Sequence, residues 1–147
     1  MKKIVLSCIV WTIAFMTYAQ ENFSKSLSGI EWVKIASNAD ITVKTHEKNE
    51  LLIKVKGRHH LPEKAKGLKL VGAGGTDNTN LGFSVVQDGS NLIVKNLSKS
   101  KGAEIFLPKT QNVSVTNSWN GDIHIEGFQG EVEANANLNG GLTLKNI

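Results

Sequence analysis

The last third of the chain repeats a short apolar motif at nearly constant spacing. In each copy two apolar residues flank one further residue, and the five copies begin 8, 10, 9 and 10 residues apart: Ile105/Leu107, Val113/Val115, Ile123/Ile125, Val132/Ala134 and Leu142/Leu144. Because side chains alternate between the two faces of a strand, each pair lies on one face. Alternate copies are 18 or 19 residues apart, so the pattern predicts a repeat near 19 residues with two short strands in each.

Such a repeat is typical of a β-solenoid, in which each coil buries its apolar pair against the coils on either side. The turns repeat as well, since Asn120-Gly121 returns as Asn139-Gly140. We expect Asn-Gly at these corners because glycine tolerates positive φ. The alternative is an ordinary meander whose spacing is coincidental.

A solenoid would stack successive coils in parallel. The expected stacks are Ile105 over Ile123 over Leu142, and Val113 over Val132. The residues between the apolar positions would then point outward in columns, one formed by Phe106, His124 and Thr143 and another by Ser114 and Glu133.

The rest of the chain after residue 20 also alternates with period two, which predicts an all-β fold of short irregular strands leading into the solenoid. Strands are expected at 41–43, 51–55, 68–70, 81–85 and 92–94, with a tight hairpin at 87–91. One helical turn is expected after Pro62, at 63–66.

The N-terminus is typical of a cleavable secretory signal. Lys2 and Lys3 precede an uncharged apolar run at 4–16, and cleavage is expected between Ala19 and Gln20. The run is shorter than the roughly 20 residues of a membrane span, so we expect no transmembrane span in the mature chain. A lipoprotein box ending at Cys8 is the alternative. Removal of the signal would leave a single domain at 20–147 without cysteine.

Positive charge is concentrated in the middle of the chain. Residues 51–101 carry nine basic and three acidic side chains, although the whole chain has a formal net charge of only +4. One interpretation is a set of solvated strand faces and turns, and the other is a surface for a polyanion. Nucleic acid is not expected as a partner, because no aromatic residues alternate with the basic ones.

The residues that could carry chemistry do not form a catalytic motif. His59-His60 and His46 could bind a metal with Glu63, but adjacent strand residues point to opposite faces. Residues 72–75 are glycine-rich, yet another strand follows instead of a phosphate-binding helix. Glu131 and Glu133 share one strand face, which is more often a solvated edge than an acid–base pair. We therefore expect no enzyme activity, no catalytic residues, no metal and no cofactor.

Three residues are candidates for contact with a partner. Trp119 precedes the Asn120-Gly121 corner, where an indole is hard to bury and could stack on a sugar or a protein. Phe106 and His124 belong to the expected exterior column. Trp32, in contrast, is expected to pack within the first strand.

Together these motifs resemble the bacterial putative adhesin domain family of unknown function. The similarity rests on the signal peptide, the Leu107-Pro108 strand end, and the segments 120–125 and 139–142, and it extends over roughly residues 28–147. It implies a right-handed β-helix-like fold and an exported bacterial protein without assigned enzymatic activity. Members usually continue through further coils, so we expect the domain to be C-terminally incomplete at Ile147.

These observations predict an exported, non-enzymatic module of the bacterial envelope or cell surface, located in the periplasm, on the outer surface or outside the cell. Adhesion or assembly is the expected role, with a polysaccharide or a protein of the envelope as partner and self-association through the open solenoid end. The alternative is a protein that binds acidic glycans or lipid headgroups through the basic segment 54–69.

Overall fold

The computed structural model describes residues 22–55, 67–69, 71–72, 74–99 and 101–147. This part of the chain consists of strands and turns, without a helix, which confirms the predicted all-β class. The strands are β1 (Asn22–Ser26), β2 (Trp32–Ser37), β3 (Ile41–His46), β4 (Glu50–Val55), β5 (Val71–Gly72), β6 (Gly75–Thr76), β7 (Phe83–Asp88), β8 (Asn91–Asn96), β9 (Ala103–Pro108), β10 (Asn112–Asn117), β11 (Ile123–Glu126), β12 (Val132–Ala136) and β13 (Leu142–Lys145).

The strands form two mixed sheets and a small hairpin. The six-stranded sheet has the order β1-β4-β9-β3-β11-β13, and the five-stranded sheet has the order β12-β10-β2-β8-β7. In each sheet four neighbouring strands are parallel, and antiparallel strands extend the sheet at one end only: β1 and β4 in the larger, β7 in the smaller. Strands β5 and β6 pair separately.

The parallel strands of the two sheets correspond one to one. The chain passes from β8 to β9, from β2 to β3, from β10 to β11 and from β12 to β13, each time from the five-stranded to the six-stranded sheet. These four strand pairs are stacked in the same order in both sheets. Apolar side chains from both sheets form one core between them.

Two of the predicted parallel stacks are present. Val113 pairs with Val132, and Ile123 pairs with Leu142, each in parallel and 19 residues apart. The 18-residue step from Ile105 to Ile123 is wrong, because β3 lies between β9 and β11. Val43 of β3 pairs with both Ile105 and Ile125.

The pair β2–β3 fits between its neighbours because its strands have the same alternation of buried and outward-facing residues. Ile41 and Val43 in β3, and Val33 and Ile35 in β2, are all at most 2% exposed. Their buried rows continue those of the adjacent strands, with Val33 opposite Val113. The pair β2–β3 therefore completes the core from a distant part of the sequence.

Burial follows the predicted alternation except at one end. Ile105, Leu107, Ile123 and Ile125 are at most 1% exposed, as expected for inward-facing residues. Leu142 and Leu144 are 46% and 47% exposed, although the repeat predicted an inward position. They lie on β13, an edge strand, so no further strand of the described residues covers them.

The predicted hairpin at 87–91 is confirmed, since Asp88 pairs with Asn91 and Gly89 takes a φ of 59°. The strand expected at 81–85 begins at Phe83 instead. Leu68 and Lys69 do not lie in a strand. The signal peptide with its cleavage site, the helical turn at 63–66 and Leu70 lie outside the described residues. Among the residues that are described, no helix could cross a membrane.

Candidate partner-contact surfaces

Trp119 lies at the corner between β10 and β11, which is held by a buried asparagine. Asn117 is 0% exposed; its Nδ2 donates to the Ala39 carbonyl at 2.9 Å, and its Oδ1 accepts from the Trp119 N–H at 3.0 Å. These bonds fix the backbone of Trp119 while its side chain remains 58% exposed. The corner thus presents an exposed indole on backbone that is held by hydrogen bonds.

Asn117 belongs to a row of buried polar residues along this corner. Ser37 and Asn96 occupy the same row on neighbouring strands, with Asn117 opposite Ser37. Asn96 Nδ2 donates to Ser37 Oγ at 3.2 Å and to the Lys101 carbonyl at 3.0 Å, and Ser37 Oγ accepts from the Ala39 N–H at 3.0 Å. Through these bonds the row connects the strand pairs β8–β9, β2–β3 and β10–β11. None of the buried polar side-chain atoms in the described residues lacks a partner.

The glycines at the corners serve close packing and not the positive φ that the sequence suggested. Gly121 and Gly140 are not among the described residues with positive φ, whereas Leu138 has a φ of 58°. A Cβ on Gly121 would collide with the Ala39 backbone and the Asn117 amide, and one on Gly140 with the Gly121 carbonyl. The predicted reason for these glycines was therefore wrong.

A second exposed apolar side chain occupies the next corner along the stack. Leu138 lies 19 residues after Trp119 and is 69% exposed. The two corners are joined by the bond from Asn139 Nδ2 to Asn120 Oδ1 at 3.3 Å. We call Trp119, Asn120, Leu138 and Asn139 the corner ridge.

Phe106 and His124 lie on the outer face of the six-stranded sheet, but not in one column. Phe106 pairs with Lys44 of β3, whereas His124 pairs with Thr42 on the same strand. The predicted column is therefore wrong between Phe106 and His124, because β3 separates their strands and the two residues occupy different rows. His124 does pair with Thr143, and Ser114 pairs with Glu133.

Both outward residues have neighbours of their own. Lys54 Nζ lies 4.8 Å from the centroid of the Phe106 ring, within the range of a cation–π contact. The His46 ring lies 6.4 Å from Phe106 at 50°. His124 Nε2 lies 3.4 Å from Glu126 Oε2, and its side chain is 28% exposed. Both are thus partly accessible, and their role in partner contact stays a prediction.

The remaining candidates do not come together. His46 Nε2 contacts the Glu50 carbonyl at 2.8 Å. Within the described ranges no group of three metal-ligating side chains occurs. His59, His60 and Glu63 lie outside those ranges, as does most of the basic segment 54–69.

Two grooves flank the β5–β6 hairpin on the outside of the five-stranded sheet. One, of about 290 Å³, is lined by Ala36, Ser37, Asn38, Gly72, Gly74, Lys95, Asn96, Leu97, Lys99 and Ser118. The other, of about 400 Å³, is lined by Gly74, Ser84, Val86, Gln87, Asp88, Ile93 and Lys95. Lys95 and Gly74 belong to both.

Several of these residues were not recognised from the sequence. The sequence did not single out Asn117 or Leu138, although their 19-residue offsets to Ala136 and Trp119 were available as a signal. The sequence could not associate Asn38 and Ser118 with Lys95, because they come together only through the position of β2–β3 between β8–β9 and β10–β11.

Comparisons with known proteins do not identify a family for this chain. No protein-family model matches the chain, and no curated protein sequence matches it. Among solved structures, the chain is similar to a putative cell adhesion protein from Clostridium sporogenes, with 10% sequence identity and a TM-score of 0.33. That similarity covers 86% of this chain and 99% of the clostridial one.

Proposed function

We propose that this chain is an exported, non-enzymatic module of the envelope or cell surface, which contacts a polysaccharide or protein partner through the corner ridge. The predicted signal peptide at 1–19 supports export. The absence of a catalytic motif in the sequence supports a binding role.

The scaffold we infer is a β-solenoid of four coils, one for each strand pair. The matched order of the pairs in both sheets supports this, as do the two parallel 19-residue registers. In this solenoid the coil β2–β3 is out of sequence order, between β8–β9 and β10–β11. Each coil turns the same corner, so residues at equivalent corner positions lie side by side.

The observation that carries the proposed contact is the pair of exposed apolar side chains at two neighbouring corners. Trp119 and Leu138 are 58% and 69% exposed, and Asn117 holds the backbone beneath Trp119. Because the backbone at Trp119 is held before binding, less conformational entropy is lost when a partner packs on the indole. Trp119 and Leu138 belong to neighbouring coils, and together they offer one strip of apolar contact for adhesion or assembly.

The test is binding of fluorescently labelled residues 20–147 to cells of the producing bacterium that lack the gene. We expect saturable binding that Trp119→Ala combined with Leu138→Ala weakens by about tenfold or more, as for a contact hot spot. Val86→Ala is the matched control, because Val86 is 53% exposed on β7, away from the ridge. Unchanged binding of the double variant, or equal loss with the control, would contradict the proposal.

A further inference from the structure

We propose that the smaller groove beside the β5–β6 hairpin binds a sugar that carries one anionic group, a carboxylate or a phosphate. Its volume of about 290 Å³ lies near the lower end of the range for small-molecule sites, which fits a single sugar ring. This inference does not depend on the proposed function, since the groove and the corner ridge have no residue in common.

The walls of the groove are closely packed. A Cβ on Gly74 would lie 3.2 Å from Leu97 Cδ2 and 3.4 Å from Lys95 Cδ, and one on Gly75 would lie 2.7 Å from Ser84 Oγ. The hairpin therefore rests directly on β7, β8 and the residues after β8, and forms one wall. Asn38, from the corner between β2 and β3, and Ser118, from the corner between β10 and β11, also line the groove.

The charge of the lining favours an anion. Lys95 and Lys99 line the groove, and no acidic side chain is among its described lining residues. Neither lysine has an ion-pair partner within the described part of the chain. The larger groove, in contrast, includes Asp88. An anionic group in the smaller groove would meet two ammonium groups without a competing carboxylate.

The remaining polar groups suit a hydroxyl-bearing ring. Ser37 and Asn96 at the floor already bond to each other and to backbone. The exposed side chains of Asn38 and Ser118 have no hydrogen-bond partner among the described residues, so they can bond to ligand hydroxyls. Leu97 offers an apolar surface for the C–H face of the ring.

The experiment is a titration of 15N-labelled residues 20–147 with glucuronate, glucose 6-phosphate and glucose, followed by amide chemical shifts. We expect saturable shifts at Asn38, Leu97, Lys99 and Ser118 with one or both acidic sugars and not with glucose. A response to glucuronate alone identifies a carboxylate ligand, and a response to glucose 6-phosphate alone identifies a phosphate ligand.

Lys95→Gln combined with Lys99→Gln should weaken that binding by about tenfold or more, because two charge-assisted hydrogen bonds are lost. The control is Lys109→Gln combined with Lys145→Gln, which removes the same charge from exposed positions outside the groove. No saturable shift at these amides, equal binding of glucose, or equal loss in the control would overturn the proposal. Loss of ridge-dependent cell binding without loss of sugar binding would affect the proposed function alone.

Discussion

Consecutive residues of β11 have opposite environments. Ile123 and Ile125 are 1% and 0% exposed, while the His124 side chain between them is 28% exposed beside Glu126. We expect Ile125→Ala to lower the free energy of unfolding by about 2–5 kcal/mol, because it opens a cavity in a packed core. His124→Ala should change it by less than about 0.5 kcal/mol, as at most surface positions.

Denaturant midpoints of the two variants, measured beside the unmodified protein, check this. Ile123→Ala serves as a second core variant and should resemble Ile125→Ala. If His124→Ala were as destabilising as the isoleucine variants, the outward assignment of His124 would be wrong, and with it a role in partner contact.

Asn117 contributes to stability through hydrogen bonds and not through apolar packing. Asn117→Ala would remove one of two donors to the Ala39 carbonyl, the other being Ser37 Oγ, and would leave the Trp119 N–H without its acceptor at 3.0 Å. We expect it to lower the free energy of unfolding by about 1–3 kcal/mol, the cost of losing two hydrogen bonds at a buried corner. Thermal unfolding should show the loss.

Asn137→Ala is the matched control for Asn117→Ala. Asn137 is exposed, one residue past Ala136, which pairs with Asn117 on the neighbouring strand. Its backbone N–H donates to the Asn117 carbonyl at 2.9 Å, and its side chain has no hydrogen bond to the described residues. Equal stability of the two variants would mean that the buried polar row does not hold the corner.

The sequence predicted burial at this scale better than it predicted polar contacts. Alternation alone identifies Ile105 and Ile125 as inward-facing, because the side-chain direction in a strand depends only on position parity. The partner of Asn117 is the carbonyl of Ala39, 78 residues away. No local pattern indicates which backbone lies opposite a given asparagine, so the sequence could not predict the contact between Asn117 and Ala39.

At the scale of elements, the repeat spacing predicted neighbouring strands only where successive strand pairs are also adjacent in the sheets. The steps from β10 to β12 and from β11 to β13 follow the 19-residue repeat. The step from β9 to β11 does not, since β3 occupies the position between them. The motif Ile41-Thr42-Val43 matches the repeated pairs in its pattern, but its distance along the chain concealed its place in the sheet.

Engineered cysteines can test this strand order. Ser114 pairs with Glu133 on adjacent strands, which lie roughly 4.8 Å apart, within reach of a disulfide. Phe106 and His124 lie on either side of β3, roughly 10 Å apart, beyond that reach. We expect Ser114→Cys with Glu133→Cys to cross-link on oxidation and Phe106→Cys with His124→Cys not to.

Non-reducing electrophoresis with mass spectrometry reads out the cross-link in residues 20–147, which contain no other cysteine. The Phe106 and His124 pair serves as the control for collisions between mobile strands. A cross-link between Phe106→Cys and His124→Cys as complete as the one at Ser114 and Glu133 would support the sequential order expected from the repeat and contradict the insertion of β3.

At the scale of the whole molecule, the two ends of the sheets differ. At one end β4 and β7 run antiparallel to the stack, and Leu51 and Ile53 of β4 are both 0% exposed. At the other end β12 and β13 are the edge strands of their sheets. Leu142 and Leu144 are about half exposed there. One end of the core is covered within the described residues, and the other is accessible.

An accessible apolar edge strand can pair with the same strand of another copy, since its backbone groups on one side have no partner. We therefore expect residues 20–147 to associate as their concentration rises, measured by sedimentation velocity. Leu142→Lys combined with Leu144→Lys should reduce the association, because charged side chains disfavour edge-to-edge pairing. The control is Leu68→Lys combined with Val71→Lys, at residues 68% and 72% exposed and away from β13. If the protein stayed monomeric at every concentration, or if the control reduced association as strongly, the edge at β13 would not be the contact.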